Sequence, residues 1–501
     1  MLYINNWQNW QFNDYAPIPS LLSAEVIQSI WGFVQGLKTI VQNLEADSVT
    51  ADRLEACILQ AIRQVSHTEQ VLRVEYVPEA ETWTVLSKSD QCVSEYASTC
   101  VSEIDDRGVL ASLQKDLPIA FWASQVFKDC PQGIYRVQPS DQGHPTYTYS
   151  IIPLLEAYSC LVMIGLPVQQ NMTGNFNCPL FNDQFTYLVS SFYKNSCRFY
   201  KPQEQHLDYQ MQMIEASILD DLKYRYGFLP KILYDRRFSL FQESLARTKM
   251  HFEPILDLQL LSLHGWEALA RDPFTEKAPV DLFDAAELWG LQFTVTLDIA
   301  LLVNAVETFA RRLKSGRNRF FRLFVNVYPE SLMVAEYFET IRQLTQGDNS
   351  IIDAQYLILE ISERKKLPFN FNNPLDTISF DTFKKRLMEY TDQLGIHFGI
   401  DDFGVGYSSV HRFTALNLPY VKIDREILHQ KPFDAVIRFV KEVLTFANPQ
   451  TDAEIIVEGI DTASPVGLKH LKSLGIRFVQ GYLIGEANAD PNYHADRKFH
   501  F

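Results

Sequence analysis

In the second half of the chain, short apolar and β-branched runs end one after another on a polar residue. RLFVN closes on Asn326, YLILE on Glu360, HFGIDD on Asp401 and Asp402, PYVK on Lys422, EIIVE on Glu458 and RFVQ on Gln480. Each run reads as a buried strand with a polar group at its exit. Successive exits lie 21 to 41 residues apart, room for a strand and a return helix each time, which predicts parallel βα units. Residues 250–501 match the roughly 250 residues of an eight-stranded β/α barrel, whose chemistry gathers at the C-terminal ends of its strands. The expected fold class is therefore α/β, with a TIM-type (β/α)8 barrel over 250–501.

Upstream, apolar residues take helical spacing at Val26, Ile30, Phe33, Leu37, Ile40 and Leu44, and again at Leu54, Ile58, Ile62 and Val65. VLRVEYV, TWTVL and SCLVMIGLPV read as strands, and DQFTYLVSSFY as a helix behind them. Residues 1–200 are thus expected to form an α+β domain of sensor size, without a catalytic signature of their own. Leu207, Met211, Ile214, Ile218 and Leu222 recur at steps of four and three, the seam of a helix that could pair with its copy in a homodimer. Packing on its own domain explains that seam equally well. Pro230 ends the stretch, and an amphipathic segment from Arg237 to Lys249 completes a helical linker over 201–249.

Composition narrows the partners. Hydrophobic residues make up 47% and charged residues 21%, an ordinary globular balance. A net charge of −16 argues against DNA, RNA and anionic membranes as partners, because phosphate affinity is driven by Lys and Arg. The opening MLYINNWQNW carries no basic segment and no run of 18 uncharged apolar residues occurs, so a cytoplasmic protein is expected. All seven cysteines fall before residue 200 without a CxxC pair, and are expected to be reduced thiols.

Four or five carboxylates gathered on one barrel face would repel each other unless cations neutralised them. The candidate ligands are all oxygen donors, which favours Mg2+ or Mn2+ over zinc or copper. Two ions fit best, since neighbouring acids such as Asp401 and Asp402 can feed cations about 3.5–4 Å apart that activate water and clamp a phosphodiester. Taken singly, each acid would be a helix cap or a solvated side chain, and Asn326 a turn residue. Their order and their place at strand ends argue otherwise.

The stretch from Phe252 to Gly485 resembles an EAL-domain cyclic-di-GMP phosphodiesterase. Its motifs stand in the family's order: GWEALAR, FVNVYPESL, LILEISE, GIDDFGVGYSS, YVKIDREIL, IIVEGID and FVQGYLIG. The resemblance covers about half the chain. It implies that Glu267, Asn326, Glu360 and Asp401 hold one metal ion, and that Glu458, with Asp401 or Asp402, holds a second. Lys422 would lie beside the bridging water, Gln480 would orient the site, and Arg271 would contact a substrate phosphate. Glu363 would brace the loop from Asp402 to Ser409, where Gly404 and Gly406 permit tight turns. The implied activity is two-metal hydrolysis of cyclic di-GMP to linear pGpG in bacterial signal transduction; the alternative is a degenerate barrel serving as a cyclic-di-GMP receptor or a protein-interaction scaffold. Departures from the family pattern are Glu253 in place of its usual glutamine, Val405 in the loop, Asp461, and an apparent insertion from Arg364 to Asn373. Glu253 would add a charge near the substrate. The N-terminal domain resembles a GAF domain in topology and position only, which would give it a small-molecule ligand or a dimerising role. With no Gly-Gly pair anywhere, the GGDEF signature of cyclic-di-GMP synthesis is absent.

Overall fold

The computed structural model describes residues 22–44, 51–77, 79–80, 82–89, 134–137, 148–154, 159–164, 169–170, 176–177, 183–201, 206–227, 229–313, 321–362, 369–370, 373–377, 380–403, 416, 418–429, 433–447 and 454–495. They divide into two compact units, Met1–Leu240 and Phe241–Phe501.

In the first unit, five antiparallel strands lie in the order Thr82–Lys88, Gln70–Val77, Ser159–Ile164, Thr148–Pro153 and Ile134–Val137. Ser159–Ile164 is buried at every position, which is why SCLVMI is an unbroken apolar run without alternation. The helices Ala24–Gln42, Ala51–Ser66, Asp183–Phe199 and Leu207–Tyr226 complete an α+β unit. Thr148–Pro153 and Ile134–Val137 escaped the sequence pattern. The seam is used at home: Met211, Ile214, Ile218 and Leu222 are buried within this unit, where their helix packs on Asp183–Phe199 and Ala24–Gln42. It does not offer the free apolar stripe that pairing with a second copy requires.

In the second unit, eight strands close into a barrel. In chain order they are β1 (Lys249–Asp257), β2 (Ser262–Arg271), β3 (Arg322–Val327), β4 (Leu357–Ser362), β5 (His397–Phe403), β6 (Tyr420–Ile423), β7 (Glu454–Val457) and β8 (Phe478–Gln480). Strands β2 to β8 run parallel, as the spacing of the exits predicts. β1 runs against both of its neighbours. The reason is the connection: only residues 258–261 join β1 to β2, far short of the dozen or so that a parallel crossover needs. Asp257 shapes that turn, its Oδ1 accepting the N–H groups of Gln259 and Leu260 at 2.7 and 2.9 Å. The apparent insertion contributes a short hairpin, Phe369–Asn370 against Asn373–Thr377.

A period of two explains the site's position. Ile255, Phe324, Ile358, Tyr420, Ile456 and Phe478 form one buried cluster. Two residues further along five of these strands stand Asn326, Glu360, Lys422, Glu458 and Gln480; two residues back along reversed β1 stands Glu253. Side chains two apart share a strand face, so a polar layer sits directly on an apolar plug. The intervening residues Val325, Leu359, Val421, Val457 and Val479 join the larger core beneath the helices. Among the described residues one helix, Leu291–Arg312, is long and apolar enough to cross a membrane, but it packs against β1 and β3 with Leu297, Leu302, Val306 and Phe309 buried.

Candidate active site

Lys422 is the centre of the polar layer. Its side chain is 1% exposed, and Nζ lies 2.5 Å from Glu458 Oε1, 2.8 Å from Glu267 Oε2, 3.2 Å from Glu360 and 3.5 Å from Asp401 Oδ1. Amides hold the acids from the sides. Asn326 Nδ2 donates to Glu267 Oε1 at 2.8 Å, and Gln480 Nε2 donates to Glu267 Oε2 at 2.6 Å and to Glu253 Oε2 at 3.0 Å. Eight of the residues singled out in the sequence therefore form one connected network.

Backbone devices aim these groups. The ladder between β5 and β6 slips between Ile400 and Phe403, a bulge that frees Asp401 and Asp402 from strict alternation. Asp402 takes a positive φ of 59°, uncommon for a residue with a side chain, and Ser362 Oγ donates to its Oδ2 at 3.3 Å while Asp401 faces Lys422. Gly481, at φ 138°, lets the chain turn just after Gln480; a Cβ there would lie 2.3 Å from the Ile460 nitrogen. That close approach permits Ile460 N–H to bond Gln480 C=O at 3.0 Å, tying the exits of β7 and β8 together.

One ammonium cannot satisfy four carboxylates, two of them buried and two partly so, and the charges adjust accordingly. Burial opposes the charge on Lys422, yet Asp401, Glu267, Glu360 and Glu458 hold its pKa well above the ordinary lysine value. Burial and mutual repulsion push Glu360 and Glu458 well above the usual carboxylate range despite Lys422. Glu267 goes the other way: burial raises it, but the charge of Lys422 and hydrogen bonds from Lys422, Gln480 and Asn326 together bring it below that range. Glu253 is raised, first by burial and then by Glu267.

The donor set fits a hard divalent cation. Gln480 Oε1 is buried and accepts no hydrogen bond, while Glu360 Oε1 and Asp401 Oδ1 share the one Lys422 ammonium at 3.2 and 3.5 Å, and buried oxygens in that condition call for a further cation or donor. Among the described residues, no three His, Cys, Asp or Glu side chains already converge at ligand spacing. The acids are drawn onto Lys422 instead.

Arg271 stands apart from the network, its guanidinium donating to the Ala270 carbonyl at 2.9 Å. Glu363, with Gly404, Val405 and Gly406, lies outside the described residues. Two supporting residues were missed in the sequence. Ser362, which holds Asp402, gave no signal beyond its place at a strand end. Asp298 is buried in Leu291–Arg312 and accepts the Tyr328 N–H at 2.9 Å, two residues past Asn326. As the one acid amid the apolar TVTLDIALLV, it could have been found.

A closed barrel with an acid-rich, lysine-centred layer at the strand exits places these groups where β/α barrels carry their active sites. Residues 240–487, a little under half of the chain, match the EAL domain. The matched segment is an EAL domain. It is 26% identical over 238 residues to the cyclic di-GMP phosphodiesterase NbdA of Pseudomonas aeruginosa, covering 47% of this chain and 28% of that protein. It is 24% identical over 239 residues to the probable cyclic di-GMP phosphodiesterase PdeN of Escherichia coli K12, covering 46% and 42%. The chain thus spans less than half the length of either relative. Among solved structures, the c-di-GMP complex of the PaMucR phosphodiesterase aligns over 48% of this chain and 97% of that one, with 23% identity and a TM-score of 0.39.

Proposed function

We propose that this barrel is a metal-dependent phosphodiesterase that opens cyclic di-GMP to linear pGpG. The observation that carries the reading is the buried ammonium of Lys422 shared among four acids, Glu267, Glu360, Asp401 and Glu458, with the buried Gln480 Oε1 beside them lacking a donor. The names of the curated relatives supply the substrate.

Glu267, Asn326, Glu360 and Asp401 would hold one Mg2+ or Mn2+ ion, and Glu458 with Asp401 or Asp402 a second. When bound, these ions supply an activated water and neutralise charge on the phosphodiester. The chain's own groups do the rest. Lys422 stabilises negative charge growing on the attacked phosphate. Asn326 and Gln480 fix the orientation of Glu267, Ser362 holds Asp402, and Arg271 anchors a substrate phosphate through its forked donors. On this reading Glu363 braces the loop after Asp402, and the N-terminal unit is a cytoplasmic sensor with a small-molecule ligand of its own.

The acids close on Lys422, and among the described residues no three of them group at metal-ligand spacing, which favours a second reading, a receptor that binds cyclic di-GMP without cleaving it. Incubating the purified chain with cyclic di-GMP and Mg2+, Mn2+ or EDTA, with chromatography of the products and equilibrium binding in parallel, separates the two. Linear pGpG only with metal supports the enzyme; tight binding without product in any condition supports the receptor.

A further inference from the structure

The antiparallel course of β1 has a chemical consequence. It sets Glu253 directly opposite Glu267, and directly opposed residues of an antiparallel pair share one face of the sheet. Glu253 stands two residues from Ile255 of the apolar plug, in the same polar layer as Asn326, Glu360, Lys422, Glu458 and Gln480. Its Oε2 and Glu267 Oε2 share the single amide nitrogen of Gln480, at 3.0 and 2.6 Å.

We propose that Glu253 is an additional cation ligand of this barrel, a carboxylate delivered to the metal site by the reversed strand. The inference rests on the cation-dependent reading above. Two carboxylates facing each other across a strand pair are unfavourable by themselves, and one amide cannot offset both. Lys422 neutralises only the Glu267 side of the pair, at 2.8 Å; its ion-pair partners are Glu267, Glu360, Asp401 and Glu458, and Glu253 is not among them. A second feature points to a ligand: Gln480 is 2% exposed, yet its Oε1 accepts no hydrogen bond. Hydrogen bonding to Gln480 does not itself call for a charge at 253, because a neutral amide oxygen would accept that bond equally well. A cation beside Glu267 would use the charge.

Glu253→Gln isolates the charge, since it preserves size and an acceptor for Gln480. The probe is Mn2+ alone, titrated calorimetrically into the full chain without substrate, with Glu267→Ala as a reference. The proposal predicts that Glu253→Gln binds Mn2+ about tenfold more weakly than the wild type. It also predicts an unchanged or higher melting temperature in EDTA, and that Glu253→Asp, which keeps the charge, retains most of the affinity. Equal Mn2+ affinity in Glu253→Gln and wild type overturns the proposal while leaving the cation site in place. No Mn2+ binding by the wild type fails the cation reading itself, and the role of Glu253 falls with it.

Discussion

Lys422 Nζ lies 2.5 Å from Glu458 Oε1, the shortest of its four carboxylate contacts. The pair joins a lysine inside β6 to an acid one residue beyond the end of β7, and Glu458 N–H bonds Ile423 C=O at 3.0 Å alongside it. Removing one partner from a buried charge cluster leaves the others uncompensated, at a cost of about 3–5 kcal/mol. Lys422→Met should therefore lose stability on that scale in EDTA, as well as hydrolysis. Denaturant unfolding of the metal-free protein checks this; a variant as stable as wild type would show that Lys422 does not hold the acids together.

Asp298 supports the site from behind. Its buried carboxylate accepts the N–H of Tyr328, which starts the turn after Asn326. Asp298→Ala orphans that N–H, a loss of about 1–3 kcal/mol. Asp298→Asn, which keeps an acceptor oxygen, should recover most of it. Urea unfolding of the two variants checks this; a loss in Asp298→Asn as large as in Asp298→Ala would show that an acceptor for the Tyr328 N–H is not what this side chain supplies.

His264 predicts how stability responds to acid. Its ring lies 3.9 Å from that of Phe478, Nε2 has no partner, and burial, followed by the charge of Arg322, pushes its pKa down to about 3. Between the ordinary histidine pKa of about 6.5 and that value, the unfolded chain binds a proton that the folded one refuses. The contribution is thus absent above pH 6.5, where neither state is charged, and stability falls as pH falls through the window by up to about 1.4 kcal/mol per unit. His264→Leu should flatten the acid limb of the stability curve. Parallel curves for variant and wild type between pH 6 and 4 would contradict the assignment.

Much of the barrel was legible because its parallel strands are buried on both faces and so read as unbroken apolar runs that stop at their exits. The polar layer was legible for the same reason: Asn326, Glu360, Lys422, Glu458 and Gln480 interrupt those runs. The direction of β1 was hidden, because Phe252 to Asp257 would pattern alike either way up and only the length of the 258–261 turn decides. The bulge at Asp401 and Asp402 was equally hidden, being a property of how β5 pairs with β6. The 207–222 seam shows the opposite failure: a correct helical period cannot say whether its apolar stripe faces a partner or its own domain, and here Ile214 and Leu222 are buried at home.

The most direct test is the rate of pGpG formation from cyclic di-GMP in Mn2+ by wild type and Glu267→Ala. Glu267 touches Lys422, Asn326 and Gln480 at once, so its removal should disable the site without unfolding the barrel. The account predicts metal-dependent turnover by the wild type and a fall of about a hundredfold or more in the variant at unchanged secondary structure. Undiminished hydrolysis by Glu267→Ala would contradict it.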